Sequence, residues 1–440
     1  MSQRTNRRLF LSRCVSSVAA TSVAYGSGDL VAAKNDRPLL GLIGAGYQPE
    51  TKRKGRGIAI GLAASGLADI AMLCEIDSQA ADYASETVCG GKAKVVHDYR
   101  HVIDDPSIEA VLIGTPDHWH AKIAIEAMKA GKDVYCEKPV AVTVQEGQWL
   151  RDVAQQTNRV FQVGTQQRSE YGQRFLTAIA MVRAGRLGKL RRIHIGLNEG
   201  WEGGPFSTQP TPKTLDWERW LGPAPMTDYL PQRSHRTFRW WYEYAGGQLC
   251  DWGAHHVDIA QWAIEQQASG PTTIKTTARL NQPLVNGQAT RDDTYNTPIT
   301  FSAECQFAGG ITMLIDSSRN GITFEGDQGR IFVNRGTLEG KPVDAIRDAP
   351  LPEDAIANVY GGTPAVSHMQ NFIDCVQSRD TPISDIDSHH RTLSTCHLAN
   401  ISVRLGRPLR WDPLRERFLG DEEANALLSR QYRKGYEIDV

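Results

Sequence analysis

Two groups of ionisable side chains follow short apolar runs in the first third of the chain. The run at 110–113 is followed by a Thr-Pro-Asp-His-Trp-His segment at 115–120, and the run at 133–136 by Glu137 and Lys138. Carboxylates, imidazoles and ammonium groups can exchange protons with a bound molecule. Open α/β sheets bind ligands beyond the carboxyl ends of their strands, so we expect both groups to contact a ligand.

A third polar group lies far downstream, directly before an apolar segment that ends at Ile264. It contains Asp251, His255 and His256. Residues four positions apart lie on one face of a helix, so we expect Asp251 and His255 to be presented together. A helix cap and a histidine satisfied in the core would use the same residues without chemistry.

A glycine-rich turn follows the first apolar run and contains Gly44 and Gly46. Glycines let the backbone turn sharply there and approach a pyrophosphate near a helix N-terminus. A plain strand–helix turn would also contain glycine, but Glu75, at the end of the second predicted strand, favours a dinucleotide site. Glu75 is expected to accept hydrogen bonds from the adenine ribose, with Asp77 able to share that role. Its charge would repel a 2′-phosphate, which favours NAD over NADP.

This turn departs from the usual fingerprint in two ways. The third glycine is missing where it is expected, and Glu75 lies 31 residues beyond Gly44 instead of about 20. An insertion of roughly seven residues before Arg56 would explain both departures. The basic residues 52–54 in this insertion would form a solvated loop or approach a phosphate.

The elements that must position these residues alternate between strand and helix up to about residue 165. Strands are predicted at 39–43, 70–74, 95–96, 110–113, 133–136 and 160–163, and helices at 57–66, 78–87, 98–104, 118–130 and 144–156. This alternation predicts a doubly wound parallel sheet of the Rossmann type over 37–165.

The regular alternation of strands and helices ends at about residue 165, and the pattern differs over 166–440. A long helix at 169–184 is predicted, then β-rich runs at 190–197, 272–280, 299–307, 311–316 and 330–333, and late helices at 368–376 and 391–405. The Gly/Pro/Trp-rich segment 200–225 is predicted to be an irregular loop. These signals indicate an α/β domain with a mostly antiparallel, open sheet.

The glycine turn, the Thr-Pro-Asp-His-Trp-His segment, the Glu-Lys-Pro segment and the Asp-x-x-x-His pair, in this order, resemble the Gfo/Idh/MocA family. That family includes glucose–fructose oxidoreductase and inositol dehydrogenase, and the resemblance covers most of residues 38–412. It implies a Rossmann domain, a C-terminal α/β domain whose open sheet often mediates oligomers, and hydride exchange between nicotinamide and a sugar or cyclitol carbon.

The resemblance also implies roles for individual residues. Lys138 would bind the reacting hydroxyl and help to move its proton, and Pro139 would shape its turn. His255 would be the general base in oxidation, a role that suits an imidazole near neutral pH. Asp251 would share the substrate site and orient the histidine. The family usually works without a metal, so none is expected.

Further contacts are predicted around these groups. We predict cofactor contacts from Gly44, Gly46, Arg56, Glu75, Asp77, Thr115, Pro116, His118, His120 and Glu137. We predict substrate contacts from Lys138, Arg168, Arg236, Trp241 and His256, with His235 a weaker candidate. Aromatic rings can stack on the apolar face of a sugar and arginines can hold its hydroxyls. Domain-interface packing is the alternative for the aromatic stretch 236–244, which contains Arg236, Arg239 and Trp241. A structural role is the alternative for His256, and His118 and His120 would shape their loop or pack near the nicotinamide.

Composition limits the partners. The formal charge is −1, which gives no basic field for nucleic acid. No apolar segment is long enough to span a membrane. The chain has eight cysteines without CxxC spacing, of which Cys14 lies within residues 1–33 and the other seven are expected to be buried thiols.

Residues 1–33 have the layout of a signal peptide. Four arginines precede an apolar stretch at 15–24, and a small-residue cleavage site follows at 31–33. The pair Arg7-Arg8 before Leu-Phe-Leu resembles the twin-arginine (Tat) export signature. A disordered basic tail is the alternative. We therefore expect export, for example to a periplasm, by a route that carries folded proteins.

These observations predict an exported, NAD-dependent oxidoreductase acting on a sugar or polyol, with a homo-oligomeric assembly. The alternative is a glycoside hydrolase or lyase that oxidises its sugar transiently with tightly bound NAD. A non-catalytic sugar-binding module is a third class, which the set of Lys138, Asp251 and His255 disfavours.

Overall fold

Six parallel strands form the first sheet of the computed structural model, which describes residues 37–48 and 51–440. The predicted signal at 1–33 lies outside these residues. The strands are β1 (Leu39–Ile43), β4 (Asp69–Cys74), β5 (Lys94–Val96), β6 (Ala110–Ile113), β7 (Asp133–Cys136) and β8 (Phe161–Val163). Their order is β5-β4-β1-β6-β7-β8, so the strand order reverses between β1 and β6. This is the doubly wound arrangement expected from the sequence.

Helices cover this sheet because its strands are almost wholly buried. Every residue of β6 and β7 is buried, as in a parallel sheet packed on both faces. The connecting helices are α1 (Arg56–Ser65), α2 (Ser78–Cys89), α3 (Arg100–Ile103), α4 (Asp117–Lys129) and α5 (Val144–Thr157). Two further short strands, β2 (Tyr47–Gln48) and β3 (Arg53–Lys54), pair as a hairpin within the predicted insertion.

The second half of the chain forms a nine-stranded sheet. Its strands are β9 (Leu190–Gly196), β10 (Thr273–Leu280), β13 (Pro298–Gln306), β14 (Thr312–Asp316), β15 (Gly321–Gly326), β16 (Arg330–Val333), β17 (Leu338–Glu339), β18 (Leu409–Asp412) and β19 (Arg417–Phe418). The order is β17-β16-β15-β9-β14-β13-β10-β18-β19, and only β9 and β14 pair in parallel. Burial alternates along β13 and β14, so one face packs on the core and the other is open. The mostly antiparallel sheet is thereby confirmed. The small hairpin β11 (Leu284–Val285) and β12 (Gln288–Ala289) lies apart from it.

The helices of the second half join the two sheets. They are α6 (Arg174–Arg183), α7 (Trp217–Leu221), α8 (Gly247–Asp251), α9 (Gly253–Ala263), α10 (Lys341–Asp344), α11 (Ala355–Val359), α12 (His368–Ser378), α13 (Ile386–Leu405) and α14 (Glu422–Ala426). Phe372 and Ile373 of α12 belong to the same core as Leu40 and Leu42 of β1. A helix late in the sequence therefore covers the first sheet, and residues Pro38–Val440 form one compact unit.

Several helices differ from the prediction. Helix α13 begins five residues before the predicted start at 391, and α7 lies within the segment 200–225 that was predicted to be an irregular loop. The predicted helix at 169–184 begins only at Arg174, because Tyr171 and Gln173 adopt left-handed φ angles of 64° and 57° on either side of Gly172. The apolar spacing alone did not reveal this break. Likewise, Trp252 both ends α8 and begins α9, so Asp251 and His255 lie on two short helices.

No helix in the described part of the chain is both long and apolar enough to cross a membrane. The cysteines among these residues are free thiols, and all but Cys89 are buried.

Candidate active site

A crevice of about 530 Å³ opens beyond the carboxyl ends of β1, β4, β6 and β7. It therefore lies where the strand order of the first sheet reverses, the position at which such sheets bind ligands. The predicted site residues that line it are Gly44, Gly46, Arg56, Glu75, Asp77, Thr115, Pro116, His120, Glu137, Lys138, Arg236, Asp251 and His255. His235 lines it as well.

Glycines bring three backbone segments together at one end of the crevice. A Cβ on Gly57, at the start of α1, would lie 1.8 Å from the carbonyl oxygen of Gly44. A Cβ on Gly114 would lie 2.6 Å from the Cα of Gly57. Gly44 itself has φ +78°, a conformation that L side chains rarely adopt. Only glycines permit this approach, and they bring the N-terminus of α1 to the turn as a pyrophosphate site requires.

Glu75 anchors the turn from the end of β4. Its Oε2 accepts hydrogen bonds from the amides of Ala45 and Gly46, each at 2.9 Å. Its Oε1 accepts from the amides of Ile76 and Asp77, at 2.7 and 3.1 Å. The carboxylate is thus fixed beside the turn by four backbone donors. Asp77 has a different structural task, since its Oδ1 caps α2 by accepting from an amide at 3.0 Å.

Glu137 forms a second anchored carboxylate next to the glycines. Its Oε1 accepts from Arg56 Nη2 and from Gln166 Nε2, both at 2.8 Å. Its Oε2 is buried without a hydrogen-bond partner among the described residues, as is Oγ1 of Thr115. Unsatisfied polar atoms in a crevice need an outside partner. Together with the close glycines, they fit the binding of a polar dinucleotide.

His120 and Pro116 complete this wall by shaping the segment after β6. The ring nitrogens of His120 lie 2.7 Å from the carbonyl oxygen of Pro139 and 2.8 Å from that of Thr115. Burial lowers the pKa of His120. The ring therefore ties the turn after β6 to the turn after β7, where the Lys138–Pro139 peptide is cis.

Lys138 reaches across the crevice to the segment before α9. Its Nζ lies 2.7 Å from Oδ1 of Asp251, and Nε of Arg239 lies 3.1 Å from the same oxygen. Burial would raise the pKa of Asp251, but the two cations outweigh it and hold this pKa well below its usual range. Asp251 is therefore an anion that fixes the ammonium group of Lys138 in the crevice.

His255 lines the same crevice with a neutral ring. Burial, and then the nearby Lys138 ammonium, lower its pKa well below the ordinary value. Its Nδ1 is buried and has no partner within the described chain. Asp251 is bound to Lys138 and Arg239, so the structure does not support the expectation that Asp251 orients this histidine. The break at Trp252 explains why the i, i+4 spacing was a poor guide.

Four predicted site residues do not line the crevice. Trp241 is fully buried in an aromatic core, where its Nε1 donates to Gln232 and Arg233 lies 4.1 Å from its ring. His118 is buried against Trp220 and Tyr244. These two side chains therefore serve packing, which corrects the predicted substrate contact of Trp241 and cofactor contact of His118.

The other two residues are held by polar partners in the interior. Arg168 makes a bidentate ion pair with Asp258, at 2.6 and 2.7 Å, and both side chains are almost completely buried. His256 Nε2 lies 3.0 Å from Oδ1 of Asn320, and its Nδ1 lies 3.3 Å from Gln167 Nε2. Their hydrogen-bonding groups are committed to these partners, which corrects the substrate contacts predicted for both residues.

The structure adds residues that sequence reasoning missed. Asp117 lines the crevice, and burial raises its pKa to about 7. Arg239 binds Asp251, and Arg335 lines the crevice from the turn between β16 and β17. Asp117 and Arg239 stood within quoted segments and could have been selected. Arg335 carries no sequence signal, because only the fold brings its turn to the first sheet. Among the described residues, no cluster of His, Cys, Asp or Glu is arranged to hold a metal ion.

Comparison with known families agrees with this geometry. The NAD-binding Rossmann-fold domain of the Gfo/Idh/MocA oxidoreductases matches residues 39–165, and their C-terminal α/β domain matches residues 198–438. The chain belongs to the Gfo/Idh/MocA oxidoreductase family, which confirms the resemblance and the NAD-binding Rossmann fold expected from the sequence.

Three curated relatives show how far the similarity extends. Levoglucosan dehydrogenase of Pseudarthrobacter phenanthrenivorans is 28% identical over 54% of this chain and 58% of its own. Glycosyl hydrolase family 109 protein 1 of Shewanella sp. (strain ANA-3) is 37% identical over 21% of this chain and 20% of its own. The NAD⁺-dependent scyllo-inositol 2-dehydrogenase of Bacillus subtilis is 25% identical over 73% of this chain and 83% of its own. The matched part of the chain thus spans little more than half of the first relative and a fifth of the second.

Solved structures share the fold over most of the chain. Levoglucosan dehydrogenase in complex with NADH and levoglucosan has a TM-score of 0.60 and 18% identity, covering 85% of this chain and 99% of its own. An NAD-binding protein from Listeria innocua has a TM-score of 0.59 with the same identity and the same coverage. At this identity the likeness establishes the architecture.

Proposed function

We propose that this chain is an NAD-dependent oxidoreductase that acts on a CH–OH group of a sugar or polyol. The observation that carries the proposal is the meeting of Lys138, Asp251 and His255 in the crevice that the glycine turn enters. A proton-accepting ring and a fixed ammonium group beside a dinucleotide site are the groups that oxidation of a hydroxyl requires.

The first sheet supplies the residues that would hold the cofactor. Gly44 and Gly46, with the N-terminus of α1, would receive the pyrophosphate, and Glu75 would lie beside the adenine ribose. The unsatisfied oxygens of Thr115 and Glu137 offer further acceptors in the crevice. Bound NAD supplies hydride exchange with the substrate carbon.

His255 and Lys138 remove the proton from the substrate hydroxyl. His255 is neutral because burial and the Lys138 ammonium lower its pKa, so a ring nitrogen is free to accept the hydroxyl proton. Nζ of Lys138, held by Asp251, donates a hydrogen bond to the substrate oxygen and stabilises negative charge there as the proton leaves. The anionic Asp251 keeps this ammonium in place.

A turnover assay tests the proposal. The purified protein is incubated with NAD and a panel of aldoses, uronic acids and cyclitols, and NADH is followed by absorbance. Small molecules released by acid denaturation are identified in parallel by mass spectrometry, which detects cofactor that copurifies. We expect NADH formation with at least one sugar or polyol. Absence of NADH from every substrate, with a protein that binds NAD, would contradict net oxidation.

A second candidate is hydrolysis or elimination at a sugar that is transiently oxidised by tightly bound NAD. The local similarity to a glycosyl hydrolase family 109 protein, at 37% identity, favours considering it. The two functions differ in whether NADH accumulates, because the hydrolytic or eliminating cycle returns NAD to its starting state. Release of an aglycone from a glycoside without added NAD, and without net NADH, would select this candidate.

We also propose that residues 1–33 direct Tat export and that the chain forms a homo-oligomer. The arginine pair before an apolar stretch supports the first point. The open face of the nine-stranded sheet supports the second. Export is tested by replacing Arg7 and Arg8 with lysine and following the protein by cell fractionation, with retention in the cytoplasm expected. The assembly is tested by light scattering after size-exclusion chromatography, where a monomer would contradict the proposal.

A further inference from the structure

The Arg335 guanidinium lines the crevice but forms no ion pair with an acidic residue among the described residues. Its Nε is buried and has no hydrogen-bond acceptor there. The turn that carries it is well fixed, because Oδ1 of Asn334 accepts from the amides of Gly336 and Thr337 at 2.9 and 2.8 Å. A rigidly presented arginine with unused donors needs an acceptor from outside the chain.

Two aromatic rings define where this guanidinium lies. Its central carbon is 4.6 Å from the ring centroid of Trp252 and 4.7 Å from that of Tyr171. Both distances are within the range of cation–π contacts. Tyr171 has a left-handed φ of 64°, a strained conformation for a residue with a side chain. The interruption that shortens α6 therefore places an aromatic ring against Arg335.

Three other cations that line the crevice have acidic partners. Arg56 pairs with Glu137 at 2.8 Å, while Lys138 and Arg239 share Asp251. Arg335 and His255 contact the same ring, because the Trp252 centroid lies 4.6 Å from the guanidinium carbon and 5.9 Å from the His255 centroid. The positive charge of Arg335 also contributes to lowering the pKa of His255. A guanidinium without an ion pair among the described residues thus lies near the group proposed to accept the substrate proton.

We propose that Arg335 binds a carboxylate of the substrate, so that the preferred substrate is a sugar acid such as a uronic acid. This inference rests on the proposed function, because it uses the same crevice. A guanidinium matches a carboxylate with two parallel hydrogen bonds and opposite charge. The hydroxyls of a neutral sugar would not compensate the positive charge of the Arg335 guanidinium, which is partly desolvated.

Paired substrates test the inference. Wild type, Arg335→Gln, Arg335→Lys and Arg319→Gln are assayed at saturating NAD with D-glucuronate against D-glucose and D-galacturonate against D-galactose. Arg319 is a matched control, because it contacts Phe332 and the exposed Glu339 outside the crevice. We expect wild type to prefer at least one acid, and Arg335→Gln to lower kcat/KM for that acid by about 10- to 100-fold. Lysine should restore part of the loss, since it keeps the charge without the fork.

Other outcomes separate this inference from the proposed function. Equal losses on the acid and its neutral counterpart, or a wild-type preference for the neutral sugars, would overturn the carboxylate site and leave the oxidoreductase proposal standing. If no sugar yields NADH, the proposed net oxidation fails and calorimetric titration of both uronates into the NAD-loaded protein decides the inference. Binding of a uronate that weakens in Arg335→Gln but not in Arg319→Gln supports it, and absence of uronate binding overturns it. Thermal unfolding of each variant verifies that the fold is intact.

Discussion

Lys138 and Asp251 are 113 positions apart in the chain, yet the lysine Nζ lies 2.7 Å from the aspartate Oδ1. This ion pair joins the end of a strand in the first sheet to the short helix α8. The lysine side chain of this pair is almost completely buried, with 8% of its surface exposed. A buried pair of this kind gives the ammonium one position, as a group that binds a reacting oxygen requires.

The first prediction concerns Lys138→Ala. The variant should retain NAD but lose turnover by about 100-fold or more, because the substrate oxygen loses its charged donor. Arg239 remains on Asp251, so the fold is expected to persist. Steady-state NADH formation and NAD titration measure the two effects. Lys129→Ala, at an exposed position of α4, serves as the control, and unchanged turnover in Lys138→Ala would refute the assigned role.

The second prediction concerns the pH dependence set by His255. Burial and Lys138 lower its pKa, so its neutral form persists to lower pH than that of an ordinary histidine. The rate of oxidation should therefore fall only at pH values below about 6.5. His255→Asn should lower kcat by about 100- to 10,000-fold and abolish this acidic limb. A wild-type profile that falls with a midpoint above 6.5 would argue against His255 as the base.

The third prediction concerns cofactor choice. Wild type should prefer NAD, and Glu75→Gln should shift the NAD/NADP ratio of kcat/KM toward NADP by about tenfold. The amide keeps an acceptor for the Ala45 and Gly46 amides but removes the charge that opposes a 2′-phosphate. Glu109→Gln, on the exposed edge of the same domain, controls for general loss of charge. An unaltered ratio in Glu75→Gln would mean that this carboxylate does not discriminate between the cofactors.

The fourth prediction concerns the approach of α1 to the turn. Gly57→Ala should destabilise the protein by about 3 kcal/mol or more and abolish NAD binding, because its Cβ would lie 1.8 Å from a backbone oxygen. Gly66→Ala is the matched control at the other end of α1. It has φ −74° and no atom within 4 Å of the added Cβ, so it should be neutral or stabilising. Thermal unfolding with and without NAD compares them, and similar behaviour of the two variants would contradict the close approach.

The fifth prediction concerns Arg168, which sequence reasoning placed in the substrate pocket. Arg168→Met should lower the free energy of unfolding by about 3–5 kcal/mol, because the buried Asp258 would lose its counter-charge and keep only the Thr392 hydroxyl as a close donor. The double variant Arg168→Met/Asp258→Leu should recover part of this loss. Denaturant unfolding measures both. A folded, stable Arg168→Met enzyme with a raised KM would instead return Arg168 to the substrate site.

Local patterns in the sequence predicted much of the first sheet. β6 and β7 have the bounds that their apolar runs indicated, and the polar segments after them do line one crevice. The same reasoning failed for the start of the helix predicted at 169–184, because left-handed residues around Gly172 delay its first turn to Arg174. The spacing of apolar residues predicts which face of a helix is buried, but it does not predict a single turn with strained backbone angles.

The sequence by itself determined the alternation of strands and helices, the glycine turn, and the presence of Lys138, Asp251 and His255, since these depend on neighbours along the chain. Only the tertiary structure decided that Asp251 holds Lys138 and Arg239 and not His255, that Arg168 is a buried structural cation, and that Arg335 enters the crevice. Such pairings depend on packing between segments far apart in the chain, and no local spacing encodes the distance between two side chains on such segments.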